Sequence, residues 1–263
     1  MSLKIGSNNI GDVYVGSDKI GKIYVGSDLV YSAGPKPFAT ATWDEINTVV
    51  QSGKAPTYYA LGDEKTITLS TGESVVLQII GFGPNTEQNG VFLTSSGGTQ
   101  TAKYMTIAMK NCLNTKYVWN TSNVQTGMSY LQSSLRSTVD NTLFGLFPQD
   151  LQNIIKYTLK WYYGKYDTKS IYTGYVQMFP YGLIEVGSSG TSTLQTKKYP
   201  YWNGKSDADR IKTANGTASG YFTADRYISS IYKTHICYIR GSDGVCGGAN
   251  MSSTAGVCLV FNI

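Results

Sequence analysis

The sequence predicts a mixed α+β protein, and three observations carry that expectation. Residues 5–31 repeat with a ten-residue period and a strand-like alternation. Beyond residue 38, β-branched and aromatic runs come first, helical apolar spacing follows, and strand-like runs return. Charge is sparse, 15% against 41% hydrophobic, so Ser, Thr, Asn, Gly and 21 Tyr must cover the surface, a composition that suits turn-rich sheets. Strands and helices arranged in blocks, not in alternation, argue against a doubly wound parallel sheet.

The opening repeat reads IGDVYVGSDK and IGKIYVGSDL in its two full copies. Val13, Val15, Ile23 and Val25 alternate with Tyr14 and Tyr24, while each Gly-Ser-Asp is turn chemistry. About 30 residues bury little alone, and their strand edges seek partners. An attachment or oligomerisation module over 1–34 is therefore expected, with Ala33-Gly34-Pro35-Lys36-Pro37 as its linker to a domain over 35–263.

In the main body, Thr42-Trp43-Asp44-Glu45 is a capping box that opens a helix, with Ile46, Val49 and Val50 on its apolar stripe and Gly53 at its end. Strands are expected at 57–61, 66–70, 74–82 and 103–109. Leu131, Leu135, Val139 and Leu143 recur every four residues and predict a helix, with Arg136 facing Asp140 at i,i+4. Pro148 opens a second helix carrying Leu151, Ile154, Ile155 and Leu159. Strands return at 171–186, 235–240 and 256–262.

Several function classes find no support in the residues. The net charge of +5 is scattered, with Lys197-Lys198 as the one adjacent basic pair, so a nucleic-acid partner is not expected. No window reaches 18 apolar residues, and no membrane span is expected. Met1–Ile5 runs straight into the polar repeat without the apolar core of a secretory signal, which predicts synthesis in a host cytoplasm. Cys112, Cys237, Cys246 and Cys258 lack zinc spacing and are too few for a disulfide scaffold, so free, partly buried thiols are expected. His235 is the one histidine and stands in a Tyr- and Ser-rich stretch, without a visible orienting partner. Gly187-Ser188-Ser189-Gly190 is not a nucleophile elbow, and Asp207, Asp209, Asp225 and Asp243 miss EF-hand spacing. No cofactor and no metal are expected, nor an enzymatic activity.

Trp43 with its helix, Tyr58-Tyr59-Ala60-Leu61-Gly62-Asp63, Ile79-Ile80-Gly81-Phe82, Trp119-Asn120-Thr121-Ser122, Ser134-Leu135-Arg136 and Phe147-Pro148-Gln149-Asp150-Leu151 follow one another in a characteristic order, with Ile155-Lys156 and Glu185-Val186-Gly187 after them. In pattern and order over roughly 38–263 the chain resembles a prophage- and gut-bacteria-associated domain family of unknown function. The C-terminal frame of that family is kept by Tyr221-Phe222-Thr223, Ile236–Ile239, Gly241-Ser242-Asp243-Gly244 and Gly256-Val257, while Ala224-Asp225 replaces its Arg-Ser pair. Such frames resemble the C-type lectin fold of the variable proteins of diversity-generating retroelements. The codons favoured for diversification there cannot yield Trp, Lys, Glu, Gln or Met. Residues 1–220 hold 41 of these types, and 221–263 hold two, Lys233 and Met251.

This resemblance implies a phage tail-associated protein that binds a bacterial cell-surface protein or glycan, with a variable region at about 221–255. Phe222, Ile228, Ile231, Ile236, Ile239, Val257, Val260 and Phe261 are expected to form the frame. Asp225, Arg226, Tyr227, Ser229, Tyr232, His235, Tyr238, Arg240 and Asn250 are expected to face the ligand, because Tyr and Arg dominate hot spots and small polar groups adapt around them. The N-terminal repeat would join other virion proteins or further copies of this chain. A cell-wall hydrolase and a purely structural virion component remain as alternatives.

Overall fold

A computed structural model describes residues 4–5, 8–9, 14–15, 18–20, 22–25, 28–32, 34–83, 91–92, 103–125, 128–163, 171–188, 198–227 and 231–263. The protein is a mixture of α-helices and β-sheets, as the sequence predicts. Its N-terminal repeat is three hairpins in the expected period. Ile5 pairs with Asn8, Val15 with Asp18 and Val25 with Asp28. In each copy the paired positions are separated in sequence by two residues, Gly-Ser, as the repeat predicts.

Helix α1 (Trp43–Gln51) begins where the capping box places it. Glu45 N donates to Thr42 Oγ1 at 3.3 Å and Thr42 N to Glu45 Oε2 at 2.8 Å. Trp43, Ile46, Val49 and Val50 are buried on one stripe. Thr42→Ala is expected to lower stability by about 1 kcal/mol, since one orphan N–H loses its acceptor; chemical denaturation of the two proteins measures the difference.

The strand expected at 57–61 is instead a helical turn, α2 (Ala55–Tyr58). Pro56 decides this, because its fixed φ suits a first helical turn and overrides the strand preference of Tyr58-Tyr59. β1 (Glu64–Thr68), β2 (Ser74–Gly83) and β3 (Tyr104–Met109) follow as expected.

The four-residue spacing from Leu131 to Leu143 does not give one uniform helix. A 3₁₀ turn (Tyr130–Gln132), α3 (Ser134–Thr138), a π-helical turn (Val139–Leu143) and a second 3₁₀ turn (Phe144–Leu146) follow in succession. Leu135, Val139 and Leu143 are still buried, and the Arg136–Asp140 ion pair forms at 2.6 Å. The next helix, α4 (Gln149–Gln152), is one turn long. Leu159 belongs to β4 (Thr158–Tyr163), where Thr158, Lys160 and Tyr162 point inward at strand period.

β5 (Ile171–Val176) pairs with β4 along its whole length. β6 (Met178–Pro180) then enters the main sheet, and 183–187 form turns where the sequence suggested continued strand. β7 (Tyr221–Arg226), β8 (His235–Ile239), β9 (Cys246–Asn250) and β10 (Leu259–Asn262) complete the chain.

The main sheet has five antiparallel strands in the order β6-β10-β3-β2-β1. The C-terminal strand thus lies between β6 and β3, and every residue of β3 and β10 is buried. A polar ladder crosses this core: Thr106 Oγ1 donates to Asn262 Oδ1 at 2.7 Å, and Asn262 Nδ2 to Thr158 Oγ1 at 2.9 Å. Trp119, fully buried, donates Nε1–H to Thr223 O at 3.3 Å and accepts from Leu135 N at 3.0 Å, which ties α3 to β7. No helix among the described residues is long and apolar enough to cross a membrane.

Candidate ligand-binding face

β7, β8 and β9 form a three-stranded antiparallel sheet in that order, with β9 at an edge. Phe222 pairs with Tyr238 and Arg226 with Ile236, so Thr223, Ala224 and Asp225 all stand opposite Cys237. Such a bulge bends the strand and re-aims its side chains. It decides the fate of two expected ligand contacts.

Asp225 is 1% exposed and Arg226 is 0% exposed. Both are interior residues, not surface contacts. Asp225 Oδ2 accepts from Leu183 N at 2.6 Å. The Arg226 guanidinium donates to the carbonyls of Val124 (3.2 Å), Met128 (3.4 Å), Gln125 (3.2 Å) and Lys233 (2.6 Å). Burial lowers its pKa to about 10, because desolvation penalises the charged form. Arg226 joins two loops to β7. It reads no ligand.

The same interior holds a buried ion pair between Lys160 on β4 and Glu185. Glu185 Oε2 also accepts from Gly182 N at 2.7 Å, and Lys160 Nζ lies 4.4 Å from the Phe179 ring centroid. These charges are engaged with one another and with main chain.

The remaining expected contacts divide into two groups. His235 and Tyr238 project from opposite faces of β8, since the intervening spacing is odd. On the first face, Tyr227, Tyr232 and His235 assemble, with ring centroids 6.5 Å apart for the tyrosines and 4.9 Å apart for Tyr232 and His235. Main-chain bonds hold the loop: Tyr227 N donates to His235 O and His235 N to Tyr232 O, both at 3.1 Å. Gly248 on β9 makes room, because a Cβ there would sit 3.2 Å from His235 Cδ2 and from Tyr227 Cδ1. Burial draws the His235 pKa down, because desolvation penalises the charged ring. Asn250 lies across from His235 and accepts from Thr234 Oγ1 at 3.2 Å.

Tyr232 is 51% exposed and Ile231 80%. Ile231 was expected in the frame; it is the most exposed large hydrophobic side chain among the described residues. Ile228 and Ser229 lie outside the described residues. The other frame positions, Phe222, Ile236, Ile239, Val257, Val260 and Phe261, are all buried.

On the other face, Tyr238 and Arg240 border a shallow cleft of about 530 Å³ with Lys116, Ser219, Gly220 and Ser242. Tyr238 packs over Gly220, where an added Cβ would fall on its hydroxyl and the ring would have to move. Arg240 binds Asp243 with two contacts, at 3.0 and 2.6 Å, and holds that carboxylate below its usual range. Lys116 and Ser219 escaped the sequence analysis because they arrive from other segments. Lys116 precedes the short strand Tyr117–Val118, which pairs with Thr254–Ala255.

Among the described residues, no group of three or more His, Cys, Asp or Glu side chains could hold a metal ion. No protein-family model, no curated protein and no solved structure matches the chain.

Proposed function

We propose that this chain is a non-catalytic receptor-binding protein of C-type-lectin-like fold, tail-associated in a phage and diversified by a retroelement. Its ligand is a bacterial cell-surface protein or glycan. The observation that carries the proposal is the aromatic cluster of Tyr227, Tyr232 and His235, with Ile231 beside it, displayed on a sheet whose Phe222, Ile236 and Ile239 are core. Such a patch offers rigid rings with little entropy to lose on binding. Tyr238 and Arg240 belong to a second, separate surface. Asp225 and Arg226 are excluded from the face. Glu185 and Asp225, two carboxylates a cell-wall hydrolase could use, already accept from buried main-chain N–H groups. The N-terminal hairpins are the attachment module, to virion proteins or to further copies of the chain.

The test is Ile231→Ser combined with Tyr232→Ser, read by retention on a panel of gut-bacterial cells and on a glycan array. Loss of two hot-spot side chains is expected to weaken binding by roughly 30-fold or more. Both positions are exposed, so stability should stay within about 0.5 kcal/mol of the parent. Undiminished retention would rule out this face. A near-copy of the coding 3′ end beside a reverse transcriptase gene is expected at the encoding locus, and its absence would remove diversification from the proposal.

A further inference from the structure

We infer that Cys112 and Cys258 form a disulfide under oxidising conditions, a covalent clasp between the segment after β3 and the start of the C-terminal strand. Their sulfurs lie in contact, 3.1 Å apart, and both side chains are buried thiols. Main chain holds them together: Leu113 N donates to Val257 O at 3.0 Å, so the two backbones run side by side. Gly256 leaves the space that the first sulfur occupies, since a Cβ there would approach Cys112 Sγ to 2.8 Å.

The electrostatics fit a nucleophile and its partner. Contact with Cys258 and burial push the Cys112 thiol up. Burial also opposes ionisation of Cys258, but contact with Cys112 and the charge of Lys212 outweigh it and draw that thiol down. Lys212 is fixed nearby, its Nζ donating to Met109 O at 2.9 Å and Lys110 O at 2.7 Å. Cys112 borders a polar cleft of about 270 Å³ lined also by Asn111, Asn114 and Thr213.

The step is thiol–disulfide exchange with a low-molecular-weight disulfide. Cys258, the thiol drawn down, loses its proton during refolding and attacks one sulfur of glutathione disulfide, releasing the first glutathione. Cys112 then loses its proton and attacks the Cys258 sulfur of the mixed disulfide, releasing the second. Two protein thiols are oxidised to one disulfide, and one glutathione disulfide is reduced to two thiols. In a reducing solution the pair stays open. The clasp spans 146 residues of sequence, so it removes much unfolded-chain freedom. It also braces the sheet carrying the proposed face, because Phe222 N donates to Gly256 O at 3.1 Å and Gly256 N to Gly220 O at 2.9 Å.

The experiment exposes the full chain to glutathione disulfide, both natively and during refolding, then blocks remaining thiols and maps peptides without reduction. A Cys112–Cys258 cross-linked peptide is expected, with Tm falling by roughly 5–10 °C when dithiothreitol is added. Cys258→Ala and Cys112→Ala should each lose the cross-link and the reductant-sensitive part of Tm, whereas Cys246→Ser should keep both. The reduced parent serves as its own folding control. If Cys112 and Cys258 are alkylated after both treatments, or bridge to other cysteines, the inference is overturned.

Discussion

Arg226→Met is expected to lower stability by about 3–5 kcal/mol and Tm by about 10 °C. The guanidinium donates to four carbonyls, from Val124, Gln125, Met128 and Lys233. Methionine fills much of the same volume but leaves those acceptors facing an apolar tip, and orphaned acceptors cost more than a hydrogen bond is worth when made. Arg226→Lys should rescue little, because one ammonium cannot span the fork geometry that serves two loops. Differential scanning calorimetry gives the magnitude. Proteolysis should also quicken at 124–128 and near Lys233, where anchorage is lost. The opposite pattern, weakened ligand retention with unchanged melting, would return Arg226 to the binding face.

The second large effect concerns the buried ion pair. Lys160→Met should destabilise by about 3–5 kcal/mol, because it leaves the Glu185 carboxylate charged and buried without its counter-ion. Adding Glu185→Gln should recover at least about 1 kcal/mol of that loss. The amide is neutral, and its oxygen still accepts from Gly182 N, which Glu185 Oε2 now satisfies at 2.7 Å. A second mutation that stabilises the first is an unusual outcome for two core positions. It follows only if the unpaired charge, not lost packing, dominates the single mutant. Urea denaturation of both single variants and the double variant completes the cycle. An additive loss would show that packing around Phe179 and Tyr162 sets the cost.

Local chemistry made much of the fold legible. The Thr42–Glu45 box, the ten-residue period of the strand pairs and the apolar run in β2 act over a few residues, so the chain carries them in plain view. The errors at 57–61 and 148–159 share one cause. Tyr58-Tyr59 favours a strand and Leu151–Ile155 a helix by preference alone, yet Pro56 settles one and the pairing of β4 with β5 settles the other. Secondary-structure preference is weak beside a fixed φ or a strand partner.

The candidate face was half visible. Tyr227, Tyr232 and His235 sit within nine residues of one another, and the structure brings them together. Asp225 and Arg226 lie in the same stretch, and hot-spot composition alone places them on the face, although the structure buries both. Apart from Lys233, their partners are Val124, Gln125, Met128 and Leu183, at separations that no local pattern encodes. Ile231 was misplaced for the converse reason, an apolar side chain taken as frame.

What the residues alone determined is the alternation of strand and turn in the hairpins, the caps and stripe of α1, and the apolar frame near the C-terminus, all set by contacts between near neighbours. Only the tertiary structure decided which charges go inside, that the last strand enters mid-sheet, and that Cys112 meets Cys258. Those outcomes depend on hydrogen-bond partners, counter-ions and sulfur neighbours that lie from tens of residues to 146 residues away in sequence, and a buried charge is stable only once such partners have arrived.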